Sequence, residues 1–133
     1  MILFGLEDLM RESGEDYLEA VLELEHEHGT VRLTDVAKKI GVTKPSVSRA
    51  MKILQSDGYI HQETYGAIEL TSKGRLKANQ VYHRHKTLTV FLEDVLGVSP
   101  ETAENDACRM EHILSAQTME RLSAFVEEQK KQG

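Results

Sequence analysis

The stretch that decides the fold is Thr34-Asp35-Val36-Ala37-Lys38-Lys39-Ile40-Gly41-Val42-Thr43-Lys44-Pro45-Ser46-Val47-Ser48-Arg49-Ala50-Met51-Lys52-Ile53-Leu54-Gln55-Ser56. Thr34 is a helix-capping residue type, Val36, Ala37 and Ile40 share one face, and Gly41 ends the run. Four residues, Gly41 to Lys44, lead to Pro45. Thr43 suits an N-cap and proline suits a first helical turn, so a second helix is expected from there. Val47, Ala50, Met51 and Leu54 recur at steps of three and four, which carries that helix to about Ser56 before Asp57-Gly58 stops it. The period then changes. Tyr59–Thr64 and Ala67–Leu70 alternate like two short strands around Tyr65-Gly66. The order of short helix, turn with glycine, second helix and hairpin is a winged helix-turn-helix pattern, with the helix pair at 34–56 and the wing at 59–70.

Upstream, residues 14–28 read as a helix with Ser13 as N-cap, Asp16 three residues on as a near capping box, and Gly29 as the stop. Downstream, Thr71-Ser72-Lys73-Gly74 opens a long helix to about Leu96, with Leu88, Phe91, Leu92 and Val95 on its apolar face. Ser99-Pro100-Glu101 starts another helix, and a last one is expected over 116–130 with Met119, Leu122, Phe125 and Val126 inward. The expected fold class is mainly α with a small β-hairpin wing. A winged helix-turn-helix DNA-binding domain should occupy 1–74 and a helical domain 75–133.

Composition agrees with that class. Of 133 residues, 40% are hydrophobic and 5% aromatic, with no tryptophan and two prolines. The single Cys108 excludes an internal disulfide framework and fits a reducing, cytoplasmic setting. No apolar run is long enough for a membrane span, and the N-terminal stretch lacks the basic region and cleavage site of a signal peptide. The net charge of −6 hides a segmental split. Residues 1–28 sum to −8, residues 29–86 to +7 and residues 87–133 to −5. A basic middle between acidic ends points to a polyanion-binding surface beside a concentration of carboxylates.

The basic middle contains the helix pair. In such a motif the second helix enters the major groove by its N-terminal half. Ser46, Ser48, Arg49 and Lys52 lie off the apolar stripe. The planar fork of Arg49 suits a guanine edge, whereas Thr43, Lys44 and Lys52 suit phosphates, with Pro45 opening the helix between them. The wing tip at Tyr65-Gly66 is placed for the backbone or minor groove. A solvated basic face or a protein contact would use the same pattern, so the charge split decides for DNA.

A second group consists of metal-ligand residue types. Cys108, Glu111 and His112 stand at i, i+3 and i+4, so one helix presents a thiol, a carboxylate and an imidazole on one face. Asp16 and Glu19 stand at i and i+3 on the first helix, and His83 and His85 on the long one. A divalent transition ion needs such donors from several elements. Each residue singly has a plainer reading: Cys108 as a small core residue, Glu111 as solvated, Asp16 as the capping acid, His83 as surface. Cys108 and His112 resemble a thiolate–imidazole pair, but no orienting third group accompanies them, and an enzyme is not expected.

Gly14-Glu15-Asp16-Tyr17-Leu18-Glu19, Val42-Thr43-Lys44-Pro45-Ser46-Val47-Ser48, Leu70-Thr71-Ser72-Lys73-Gly74, Arg84-His85 and Asp106-Ala107-Cys108-Arg109-Met110-Glu111-His112-Ile113-Leu114-Ser115 together resemble the diphtheria-toxin-repressor family, in order, from about 13 to 126. The resemblance implies a metal-activated transcriptional repressor that binds operator DNA as a homodimer through the winged helix, with a helical domain for metal and dimerisation. It places the metal ligands at Asp16, Glu19, His85, Cys108, Glu111 and His112. Asp16 and Glu19 follow the short, manganese-sensing branch, while Cys108 follows the iron-sensing one. Thr89 and Glu104 depart from the iron-sensing branch's ancillary site, and the chain ends where longer members continue into an SH3-like domain. Hard carboxylates suit Mn²⁺, whereas a thiolate with imidazole favours Fe²⁺ and later ions, so Fe²⁺ is expected ahead of Mn²⁺. The alternative is a winged-helix repressor that answers to a small organic effector.

Overall fold

The computed structural model describes residues 6–64 and 66–132, with side chains described from Gly14 onward. The elements run α1 (Leu6–His28), α2 (Leu33–Ile40), α3 (Lys44–Ser56), β1 (Ile60–Gln62), β2 (Ile68–Leu70), α4 (Ser72–Val90), α5 (Pro100–Ile113) and α6 (Ala116–Gln132). They divide into two compact units, 1–80 and 81–133. The fold is mainly helical with one antiparallel hairpin, as the sequence pattern predicts.

In the first unit α1, α2 and α3 pack on one another, and α1 and α3 pack on the hairpin. Leu18, Val21, Val31, Val36, Val47, Met51, Ile60 and Ile68 are all essentially inaccessible to solvent. Thr43 caps α3, its Oγ1 accepting the Ser46 N–H at 3.3 Å, and Pro45 sits in the first turn. Gly41 ends α2 in the left-handed conformation (φ 82°), where a β-carbon would be strained. β1 and β2 pair with Ile60 opposite Leu70 and Gln62 opposite Ile68. Val31, ahead of α2, adds an isolated bridge to Ile68, a third edge that a single valine between polar neighbours did not announce.

Three sequence expectations change here. α1 begins at Leu6, so Ser13 lies inside the helix and not at its N-cap position, and Asp16 is not the third residue of a capping box. The break expected at Ser13-Gly14 does not form because helix continues on both sides. α2 starts at Leu33 rather than after Thr34. The Arg32 N–H donates to the Asp35 carboxylate at 3.0 Å, so an acid three residues on supplies the stop that Thr34 was expected to supply. The strands are also shorter than the alternation implied, three residues each.

The joint between the wing and α4 is dense. The Thr71 N–H donates to the Tyr59 carbonyl at 3.0 Å, the Thr71 hydroxyl donates to the Gly58 carbonyl at 2.6 Å and accepts the Gly74 N–H at 3.0 Å. Lys73 donates to the Asp57 carbonyl at 2.8 Å and its ammonium stands 4.5 Å from the centre of the Tyr59 ring. Gly74 lies directly under the Tyr59 carbonyl, so that any β-carbon there would collide with it.

In the second unit Leu88 and Leu92 pack with Ala103, Ala107 and Met119. Ser99 caps α5, accepting the Thr102 N–H at 3.3 Å, with Pro100 at the first position. The end of α4 departs from expectation. After Val90 the chain widens into a π turn over Phe91–Val95, with the Leu96 N–H bonded to the Phe91 carbonyl, and Gly97 (φ 72°) closes it. The extra residue rotates Val95 outward, leaving it 38% exposed instead of on the inner stripe. Phe125, expected inside, is 44% exposed and meets Phe91 edge-on at a ring separation of 6.2 Å. Met119 and Val126 already fill the inner face of α6.

Candidate metal centre and nucleic-acid interface

The first unit presents α3 with Lys44, Pro45, Arg49 and Lys52 exposed and Ser46 and Ser48 half-buried. A groove beside it is lined by Lys44, Ser48 and Lys52 from α3, Thr64 and Gly66 from the wing, and Arg32. Arg32 is a cation that the pattern reading missed, because it precedes the α2 stripe and belongs to no motif. The Thr43 and Ser46 hydroxyls lie 2.9 Å apart, so both serve the cap and hold the helix start in shape. Tyr65 lies outside the described residues. Gln55 near the end of α3 accepts the Gln62 N–H of β1 at 2.6 Å, which ties helix to wing. Buried Tyr17 has its hydroxyl pushed up by burial, while the positive charge of Arg49 draws it partly back. On α1 of this unit, Asp16 and Glu19 are both half-buried, one turn apart. Their neighbour Glu15 is buried and pairs with Lys77 at 3.4 Å.

In the second unit α5 carries Cys108, Glu111 and His112, and α4 carries His85. The Glu111 side chain is 0% exposed. One of its oxygens is 3.3 Å from His85 Nδ1 and the other 3.3 Å from His112 Nε2. The His112 side chain is 4% exposed, and Cys108, one turn before on the same helix, is half-buried. The Arg84 guanidinium donates to the Glu111 backbone carbonyl, which pins the end of α5 to α4. His85 Nε2 meets Glu104 Oε1 at 2.9 Å. The hydrogen bond to Glu111 raises the His85 pKa to about 9, against the opposing pull of burial, with Glu104 adding to the rise. The Thr89 hydroxyl donates to the His85 carbonyl at 2.8 Å and so turns back on its own helix. His83 is exposed, as expected.

Thus His85, Glu111 and His112 come together within one unit, and Asp16 and Glu19 share one face in the other. The donor chemistry fits a divalent transition cation: two imidazoles and a carboxylate shielded from water, with a thiol on the same helix. An anionic carboxylate at zero exposure is costly unless positive charge stands beside it.

Two family models cover this arrangement. The iron-dependent repressor N-terminal DNA-binding domain matches residues 8–68, and the iron-dependent repressor metal-binding and dimerisation domain matches residues 71–132. The chain belongs to the iron-dependent repressor family. An uncharacterised HTH-type transcriptional regulator of Methanocaldococcus jannaschii is 37% identical over 119 residues, covering 89% of this chain and 95% of that protein. The transcriptional regulator MntR of Salmonella typhimurium is 38% identical over 118 residues, covering 89% of this chain and 74% of its own length. A manganese-dependent transcriptional repressor solved in complex with manganese superposes with a TM-score of 0.79 at 28% identity, covering 86% of this chain. The chain spans about half the length of that solved protein, 52%. The resemblance read from the motifs is therefore correct, and the winged-helix fold with it. The chain is a transcriptional regulator of a metal-responsive repressor family and not an enzyme, and the organic-effector alternative falls. Among the described residues no helix is long and apolar enough to cross a membrane.

Proposed function

We propose that this chain represses transcription from the cytoplasm by binding operator DNA as a homodimer when loaded with a divalent metal, held by Asp16, Glu19, His85, Cys108, Glu111 and His112. The observation that carries this reading is the fully buried Glu111 carboxylate with an imidazole nitrogen 3.3 Å from each of its oxygens, within the span of a metal-binding family model. Asp16 and Glu19 lie outside that span, and their part rests on the motif resemblance and their shared face on α1.

A bound divalent cation supplies the positive charge that lets carboxylates and a thiolate share one site. The residues divide the remaining work. Residues 1–74 carry the DNA-reading helix and residues 75–133 the dimer contacts. Arg49 reads a base edge with Ser46 and Ser48 beside it on the DNA face, Thr43, Lys44 and Lys52 set register on the phosphates, Pro45 fixes the helix start, and Tyr65 at the wing tip is the contact for the backbone or minor groove. Two such helices in a dimer must match half-sites one or more helical turns apart. The coupling between metal and DNA is reciprocal and of order 1–3 kcal/mol in such systems.

The identity of the ion turns on Cys108. A thiolate among imidazoles favours Fe²⁺ over Mn²⁺, whereas the MntR relative and the manganese complex point to Mn²⁺; we favour Fe²⁺ on the donor chemistry of this chain. Anaerobic titration of each ion against binding to DNA selected from a random library decides it. The double variant Glu111→Ala, His112→Ala should remain dimeric and lose metal-dependent DNA binding, and an unchanged metal response rejects the site. Equal DNA binding with and without chelator in the unaltered chain rejects the function.

A further inference from the structure

His85 stands between two carboxylates of one helix. Glu104 and Glu111 are seven residues apart on α5, hence two turns apart on the same face, and the imidazole spans them. Nδ1 faces Glu111, which is 0% exposed, at 3.3 Å, whereas Nε2 faces Glu104, whose side chain is 64% exposed, at 2.9 Å. The His85 side chain itself is 13% exposed. One nitrogen therefore points at the buried acid and the other at the surface.

We propose that Glu104 is a positioning residue for the metal centre: it accepts the Nε2–H of His85 and so leaves Nδ1 as the nitrogen that ligates. This inference rests on the metal reading given above. An imidazole that binds a metal offers the lone pair of one nitrogen and keeps its proton on the other, and the hydrogen bond made by the second nitrogen decides which is which. Glu104 is aimed at Nε2 and at the outside of the cluster. Thr89, the other polar neighbour one turn further along α4, is engaged with the His85 backbone carbonyl and orients nothing on the ring. Glu104 also lies one turn before Cys108 on α5, so the helix that supplies three of the proposed donors supplies the orienting acid as well. Spacing puts Glu104 on the face of Cys108 and Glu111, and Asp106 off it, but only the folded chain shows that Glu104 meets His85.

The test uses the full-length chain with Zn²⁺ as a diamagnetic probe. Glu104→Ala should weaken Zn²⁺ binding by about 10-fold, the low end of what outer-shell partners contribute, in competition with a chromophoric chelator. Glu104→Gln keeps a carbonyl oxygen that accepts the same proton and should restore most of that loss. Long-range ¹H–¹⁵N correlation spectra of the Zn²⁺-loaded chain, with His85 identified by its absence in His85→Gln, should show the proton on Nε2 and the metal on Nδ1. The proposal is overturned if the metal sits on Nε2, which would make Glu104 a ligand or a bystander. It is equally overturned if Glu104→Ala binds Zn²⁺ like the unaltered chain, or if Gln rescues no better than Ala. Failure of the unaltered chain to take up Zn²⁺ would instead overturn the metal reading itself, and this inference along with it.

Discussion

The joint at Thr71–Gly74 and the cluster around Glu111 both fasten α4 to its surroundings, one in each unit, by opposite means. The joint uses neutral or solvated groups: a hydroxyl, backbone amides, and a lysine ammonium over a ring. The Thr71 and Gly74 amides, the Thr71 hydroxyl and the Lys73 ammonium all find acceptors within the chain, and packing is tight enough to demand a glycine at 74. The Glu111 cluster uses a fully buried anion and two imidazoles, a set whose stability depends on which charges are present. The lesson is that the joint depends little on which charges are present, whereas the Glu111 cluster depends on them directly.

The sharpest way to break that contrast is Gly74→Ala. Its β-carbon would meet the Tyr59 carbonyl, so the α4 start must shift, at a cost of about 3 kcal/mol in urea denaturation. The loss should be the same with metal and with chelator; a metal-dependent loss would mean that the joint is not independent of the cluster. Next in size is Glu111→Gln. Metal at 100 times its Kd should stabilise the unaltered chain by about 2.7 kcal/mol, visible as a rise in Tm, and the variant should show no rise. A retained shift would remove Glu111 from the site.

Within the first unit, Arg49→Ala should cost about 1–3 kcal/mol on a selected DNA sequence and far less on random DNA. Equal losses would demote Arg49 to a phosphate contact. Thr43→Ala removes the cap of α3 and should cost about 1 kcal/mol of stability, with Thr43→Ser close to unaltered. The smallest effect concerns pH. The hydrogen bonds from Arg75, at 2.7 and 3.0 Å, hold the Glu25 carboxyl below its ordinary range, with burial opposing. A depressed carboxylate stabilises the fold above its unfolded pKa, and the contribution fades as pH falls through the folded value. Arg75→Ala should therefore cost less than about 1 kcal/mol near neutrality and nothing measurable in acid, the pair being partly exposed.

Much of this was legible in the sequence because its signals are local. Thr43-Lys44-Pro45 and Ser99-Pro100 announce helix starts whose cap hydrogen bonds lie within three residues, and both form as expected. Cys108, Glu111 and His112 share a face by spacing alone. What stayed hidden depends on neighbours remote in the chain. Ser13-Gly14 looks like a helix start, yet continuous helix on both sides overrides it. The stripe through Leu88 and Leu92 foretells Val95 inside, but one extra residue in the turn redirects it. Arg32 reaches its groove only through folding and carries no periodic or motif signature, whereas the resemblance marked Glu104 only as a departure and did not foretell its contact with His85.

The Gln55 to Gln62 hydrogen bond has a kinetic and entropic consequence. It splices the far end of α3 to the first strand of the wing and so opposes fraying between them. Ordering made within the fold is ordering that a bound ligand need not supply. Gln55 lines the same groove as Lys44, Ser48 and Lys52, so the clasp holds that groove's two walls, helix and wing, in one arrangement.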